Sequence, residues 1–354
     1  MNNQANNITY QAQASQSLLS QASFILFLTV VVWLPIPKAG MMPLALPVVG
    51  LFMLVVFALH LTSMSCIEGD YEKSKFWLKN WLIFSFCVCL HLWLVPLVFG
   101  LNRFFDHLLL TDDIANSLLN SLPALRLWFY FSVMWVAAWR VSLMSEPQVK
   151  MLLLVVFFAS LFQSIYGLSH LLAGDSSSVL GLWNKDHYLL DATGTFVNRN
   201  HFSGMLAICW PLVLSGLLSV KPLLFSTYNH LFRYSLAMLF SLIMVVALIA
   251  SHSRMGMASA FFGVIIWTAL SIKSRSDDNK PKKNITPWLT GVAVIIVAIW
   301  FGVDEVLNRF LNLSDGDGRI VIWRSIFDLP LETLMIGVGP GNFEDVFQLI
   351  QPAW

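Results

Sequence analysis

Charge is what this sequence has least of. Only 12% of its 354 residues are Asp, Glu, Lys or Arg, while 57% are hydrophobic; soluble domains carry about 25% charged residues. A chain so poor in charge cannot face water over a globular surface, which excludes a soluble enzyme. A disordered chain and a nucleic-acid binder are excluded too, because each needs charge that is absent here. Cysteine is equally scarce, with four residues: Cys66, Cys87, Cys89 and Cys209. No two form a C-x-x-C pair, which argues against a disulfide framework or a zinc site. They are expected to pack as small apolar residues between helices. Residues 1–22 hold no Lys or Arg, so the first apolar run lacks the basic leader of a signal peptide. Internal repeats are missing as well. Pro43 and Pro47 interrupt one apolar run, but no later run matches it, which disfavours an inverted-repeat transporter.

What remains is apolar length and aromatic mass, with 27 Phe and 14 Trp. A bilayer core takes about 20 apolar residues per helix. Nine runs qualify: Leu18–Ile36, Met41–Leu61, Trp81–Gly100, Pro123–Val141, Val149–Ala173, His201–Val220, Tyr234–Ser251, Met255–Ile272 and Trp288–Val303. The predicted fold class is therefore all-α integral membrane, a bundle of about nine transmembrane helices with a partial outer helical loop. Trp33, Trp81, Trp288 and Trp300 fall near run ends, where indole rings suit the headgroup layer.

Basic residues set the orientation. With the N-terminus cytoplasmic, the inner loops hold twelve of the 21 Lys and Arg residues, and the cluster from Lys273 to Lys283 dominates; inner loops gather positive charge. This divides the chain into a cytoplasmic tail over 1–17, a helical membrane region over 18–303 and an outer segment over 304–354. Three stretches are too polar to span. Leu101–Leu122 reads as interfacial helix. Gly174–Asn200 reads as an outer loop. In the last segment, Val306, Leu307, Phe310 and Leu311 form one helical face, and a helix is predicted from Arg319 to Leu329, stopped by Pro330.

The residues that carry chemistry collect on the predicted outer side. Asn198 or Asn200 can cap the helix that follows, which places Arg199 and His201 at its N-terminus. A cation there is disfavoured unless an anion joins it; the alternative is an Arg that snorkels to the interface. Arg254 stands in the short turn His252-Ser253-Arg254, where it faces either a polar cavity or lipid headgroups. Gly256, Ala258, Ser259 and Ala260 follow and permit close packing. Arg319 opens a predicted helix, with Trp323 one turn on, either stacked against it or covering a substrate. Arg324 is spaced to pair with Asp328. Asp315-x-Asp317 fails as an EF-hand, because Ile326 stands at the twelfth position. Gly337-x-Gly339-x-Gly341 fails as a dinucleotide fingerprint and reads as a turn. His91 is expected to be a packing residue. Arginine's planar fork suits phosphate, so Arg199, Arg254 and Arg319 together suggest a membrane-borne phosphate or diphosphate ligand.

The segments GTFVNRNHFSGML (Gly194–Leu206), HSRMG (His252–Gly256), GRIVIW (Gly318–Trp323) and LPLETLMIGVGPGNF (Leu329–Phe343) resemble, in order and spacing, the O-antigen ligase and polymerase-like membrane proteins. The resemblance implies a glycosyltransferase of the bacterial inner membrane that assembles cell-surface polysaccharide, lipopolysaccharide included. It would act at the periplasmic face on a glycan linked to undecaprenyl diphosphate. The acceptor would be lipid A–core, another glycan or protein. The partners implied are those substrates and membrane lipids, with no nucleic acid, and neither metal nor nucleotide is required. By motif, Arg254 and Arg319 fall on the arginines thought to act on the diphosphate. Asn198, Arg199 and His201 match the cavity entrance, and Trp323 joins them as a substrate-binding candidate. Family members continue past the glycine motif into a His-bearing segment and further spans. The chain is therefore expected to be C-terminally truncated and inactive as it stands, with neither His201 nor His252 replacing the family histidine. Two other functions compete: a carrier or flippase of lipid-linked glycans, and a non-catalytic fragment.

Overall fold

The computed structural model describes residues 2–36, 45–63, 74–90, 122–174, 178–219, 221–276, 318–329, 331, 334 and 343–350. Ten helices of eight or more residues and one small hairpin are present among them: α1 (Asn2–Trp33), α2 (Ala45–Ser63), α3 (74–90), α4 (Leu122–Ser142), α5 (Glu146–Leu172), β1 (Ser178–Val179), β2 (Trp183–Asn184), α6 (Arg199–Leu218), α7 (His230–Ala250), α8 (Arg254–Ser276), α9 (Gly318–Phe327) and α10 (Phe343–Ile350). Helices α5, α6, α7 and the Arg254–Ser271 part of α8 are long and apolar enough to cross a membrane, and Leu18–Trp33 and Pro47–Ser63 are shorter apolar helices. The chain is a helical membrane protein. The ninth predicted span, the interfacial segment up to Ser121, His91, Cys66, the 306–311 face and the glycine turn lie outside the described residues. The predicted 1–17 tail is the first half of α1.

The chain forms two compact units. One comprises Ser17–Val56 and Met144–Arg309. At its centre is α6, whose Phe202, Leu206, Trp210, Val213, Leu214 and Leu217 are fully buried against α5, α7 and α8. Trp210 satisfies its indole by donating to Ser241 Oγ of α7 at 3.0 Å, as a buried Trp must. Pro211 sits inside α6, an interruption that membrane helices tolerate because neighbours satisfy the freed backbone. Outward-facing Phe158, Ile208, Met238, Leu242, Phe262 and Ile265 are exposed, which suits contact with lipid. Of the small-residue stripe, Gly256 and Ala260 are buried at the helix interface, whereas Ala258 and Ser259 point outward. A Cβ on Gly256 would overlap the Ser203 side chain of α6, so only glycine allows this approach.

The other unit holds the end of α2, then α3, α4, α9 and α10. Four hydrogen bonds zip α3 to α4: Trp139 Nε1 to Ser74 Oγ (3.0 Å), Trp135 Nε1 to Trp77 O (2.6 Å), Trp81 Nε1 to Ser132 Oγ (3.0 Å) and Trp128 Nε1 to Ser85 Oγ (2.9 Å). One set of partners ascends as the other descends, so the helices are antiparallel. The Phe84 and Phe131 rings stack between the rungs. The Trp81 indole is thus spent on a bond to the neighbouring helix. Cys209 is buried as expected, but Cys87 and Cys89 are exposed on α3, because the indoles occupy its interhelical face.

Candidate functional site

Two helices of the first unit begin side by side. Asn198 is the N-cap of α6, and its side chain accepts from the Asn200 N–H at 2.8 Å. Ser253 precedes α8, and its Oγ accepts from the Gly256 N–H at 3.2 Å. The two starts are joined directly, since Ser253 Oγ donates to Asn200 Oδ1 at 2.8 Å. Of the two asparagines open as caps, Asn198 caps α6 and Asn200 couples it to α8. Arg199 and Arg254 are therefore each the first residue of a helix. The turn between α7 and α8 is Ser251-His252-Ser253, one residue earlier than the sequence suggested, and the half-buried Arg254 already belongs to α8.

The anion that Arg199 needs is Asp191. This residue is buried in the loop between α5 and α6. Its Oδ2 accepts from Arg199 Nη1 at 3.0 Å, and its Oδ1 accepts from His252 Nδ1 at 2.6 Å. The Arg199 guanidinium also lies 5.2 Å from the centre of the Tyr188 ring, a cation–π arrangement. His252 holds a left-handed backbone with φ of 51°. For a residue other than Gly this costs about 1–2 kcal/mol, and the surrounding contacts maintain it.

The loop is fixed at several further points. The Ala192 N–H donates to Ala250 O at 2.8 Å. Lys185 is buried, and its Nζ donates to Thr193 Oγ1 at 2.8 Å. Burial pushes the Lys185 ammonium below its ordinary pKa, while nearby Asp191 opposes that shift. Gly194, at φ of 55°, presses against Gln163 of α5. Gln163 Oε1 accepts from the Thr195 N–H at 2.9 Å, and Thr195 Oγ1 donates to Pro35 O at 2.6 Å. Gln163 also borders an apolar cavity of 410 Å³ lined by Val32, Pro35, Ile36, Leu154, Phe158 and Phe162.

Of the residues singled out in sequence, the structure brings Asn198, Arg199 and Arg254 to this cluster of helix starts, and His201 lies exposed in the first turn of α6. Arg319 and Trp323 belong to the other unit, on α9. There the exposed Trp323 ring stacks on Phe327, with centroids 6.1 Å apart. Asp191, Lys185 and Tyr188 were missed. The available signal was slight: two of only 20 acidic residues, Asp186 and Asp191, fall just before the marked arginine.

A family model described as O-antigen ligase matches residues 239–354. The chain is O-antigen ligase-like over that stretch. The ligase-like segment takes in the end of α7, the His252 turn, Arg254, Arg319 and Trp323; Asn198, Arg199 and His201 precede it. No curated protein and no solved structure gave a match.

Proposed function

We propose that the protein is a membrane glycosyltransferase of the O-antigen ligase type. It moves a glycan from undecaprenyl diphosphate to an acceptor hydroxyl at the periplasmic face. The observation that carries this reading is Arg254, which opens α8 within the ligase-like segment beside a second helix start. Free N–H groups and a partial positive charge at a helix start favour an anion, and a guanidinium adds a bidentate donor. In the reaction, the acceptor oxygen bonds to the anomeric carbon as the bond from that carbon to the diphosphate oxygen breaks. The diphosphate leaves with the electron pair. Arg254, in the first turn of α8, stabilises its charge, and Arg319, in the first turn of α9, is the other arginine proposed as catalytic. Asn198, Arg199, His201 and Trp323 serve substrate binding, and Arg199, already paired with Asp191, acts by shaping the site.

The test is conservative replacement, with membrane levels matched. Arg254→Lys and Arg319→Lys should each lose about 10²–10³ in transfer rate, nearly as much as alanine, because a point charge cannot copy the fork. Arg324→Lys, exposed in the second half of α9, should be nearly silent. Wild-type turnover and wild-type affinity for the carrier lipid in both Lys variants would overturn the assignment.

A further inference from the structure

We propose that the hairpin Ser178–Asn184 is seated in the bilayer beside α5, with Leu180 and Leu182 at the boundary between headgroups and acyl chains. Its partner is membrane lipid. The hairpin precedes the ligase-like segment, and the proposal does not depend on glycosyl transfer.

Depth carries the argument. Lys150, near the start of α5, is exposed, and its charge belongs at the headgroup layer on that side. From Lys150 to Tyr166 the helix climbs about 24 Å at about 1.5 Å per residue. The hydrocarbon core is about 30 Å thick, so Tyr166 stands at or below its far boundary. The Tyr166 hydroxyl accepts from the Leu180 N–H at 2.7 Å. The chain leaves α5 at Leu172, yet the hairpin tip returns to a residue almost two turns earlier. The rest of the loop follows the same course. The Thr195 N–H reaches Gln163, and Gly167 lies so close to Gly194 that a Cβ would stand 2.9 Å from the Gly194 nitrogen. Residues 178–198 thus fold back along α5 and do not rise from its end. Irregular backbone at membrane depth is tolerated where protein buries it, and Asp191–Phe196 are buried throughout.

The exposed tip has the chemistry of a lipid contact. Val179 O accepts from the Leu182 N–H at 3.0 Å, which closes a turn with Leu180 and Gly181 at its centre, at φ of 52° and 67°. Such turns take Asn or Asp before Gly, because a bulky side chain is strained in the left-handed region. Leucine stands there instead, and it is not spent on the core: Leu180 is 38% exposed and Leu182 69%. No charged residue lies between Ser178 and Asn184, and Trp183 suits the headgroup layer. An exposed apolar patch marks an interaction surface, and its position names the partner. Met151, Phe158, Phe162, Ile165 and Leu172 are exposed along one face of α5, where acyl chains cover it. The Tyr166 ring that holds the hairpin stacks on Phe162 of that face, with centroids 5.6 Å apart. The hairpin therefore continues a surface that faces lipid.

The test places a nitroxide on Leu182→Cys in the full chain, in a background lacking the native cysteines and reconstituted in phospholipid nanodiscs. Ile165→Cys, on the lipid face of α5, and Asp186→Cys, an exposed charged position just beyond the hairpin, are the references. Collisions with oxygen, which concentrates in hydrocarbon, are compared with collisions with a water-soluble nickel chelate. Oxygen should dominate at 182, as at 165, and the chelate should dominate at 186. The unaltered chain is read in parallel, in nanodiscs doped with a phospholipid that bears a photoactivated diazirine near the top of its acyl chain. Mass spectrometry should find the adduct on the hairpin as well as on α5. Chelate dominance at 182 with no adduct on the hairpin puts the tip in water and overturns the proposal. Shielding of 182 from both reagents means that protein covers the tip, a second copy included, and overturns it too. Chelate dominance at 182 with an adduct on the unaltered hairpin assigns the exposure to the substitution and upholds the lipid contact.

Discussion

Replacing Gly256 with alanine tests the packing that sets the two helix starts side by side. Helix propensity by itself favours the change by about 1 kcal/mol. Packing opposes it. The added Cβ would overlap both Oγ and Cβ of Ser203 and lie 3.0 Å from Ser253 Oγ. A new rotamer moves a hydroxyl, but the Ser203 Cβ is fixed to its backbone, so α6 or α8 must shift. Overpacking of this kind costs about 1–3 kcal/mol. Displacing the Ser253 hydroxyl from the Gly256 N–H forfeits a cap worth about 1 kcal/mol. The costs outweigh the gain, leaving a net loss of about 1–3 kcal/mol. The assay is the thermal midpoint of the detergent-solubilised protein, followed by the surviving monodisperse peak. Ser203→Gly alone should lower the midpoint modestly, since glycine weakens a helix interior. Combined with Gly256→Ala it should recover stability, with a coupling of about 1 kcal/mol or more. An unchanged midpoint for Gly256→Ala, or strict additivity in the double variant, would refute the close approach of α6 and α8.

The same measurement applies to the tryptophan zipper. Trp139→Phe and Ser74→Ala should each cost about 1 kcal/mol, and the pair together should cost less than the sum of the two. Lys185 makes a prediction in pH. Its pKa is lowered in the folded protein, so the unfolded chain binds more protons between that lowered value and the ordinary one near 10.5. Stability should therefore rise with pH through that window, and Lys185→Met should remove this part of the rise in the thermal midpoint. Orientation is tested with single cysteines in a background lacking the native four: Ser276→Cys should resist an impermeant thiol reagent in intact cells, and Ser177→Cys should react. The reverse pattern would overturn the periplasmic placement of the site.

Apolar run length made the helices legible. The predicted Val149–Ala173 and His201–Val220 runs correspond to α5 and α6, because a membrane helix is apolar on every side and needs no partner to reveal it. Helix starts were less legible. Tyr234 was read as the first residue of a helix that begins at His230, where Asn229 accepts from the Phe232 N–H; a polar first turn hides a start from any hydropathy reading. Arg199 and Arg254 stood out because charge is costly where they lie. Asp191 did not, because its role depends on His252, 61 residues later, and no local pattern encodes a pairing across a loop. The two-residue strands of the hairpin were invisible for a related reason: they are shorter than any periodicity.

The indole bonds between α3 and α4 also restrict motion. Their partners are set at matching intervals along two antiparallel helices. A slide of one helical turn, about 5.4 Å, would carry the three serine-bound indoles past their acceptors at once, and among the described residues no second set of serine hydroxyls is spaced to receive them. Sliding of packed helices is a common way for proteins to change shape, and these bonds oppose it in this pair. Any rearrangement through which these two helices pass must move them as one strut or act at their ends, and a spin label on each helix would report one fixed separation throughout a working cycle.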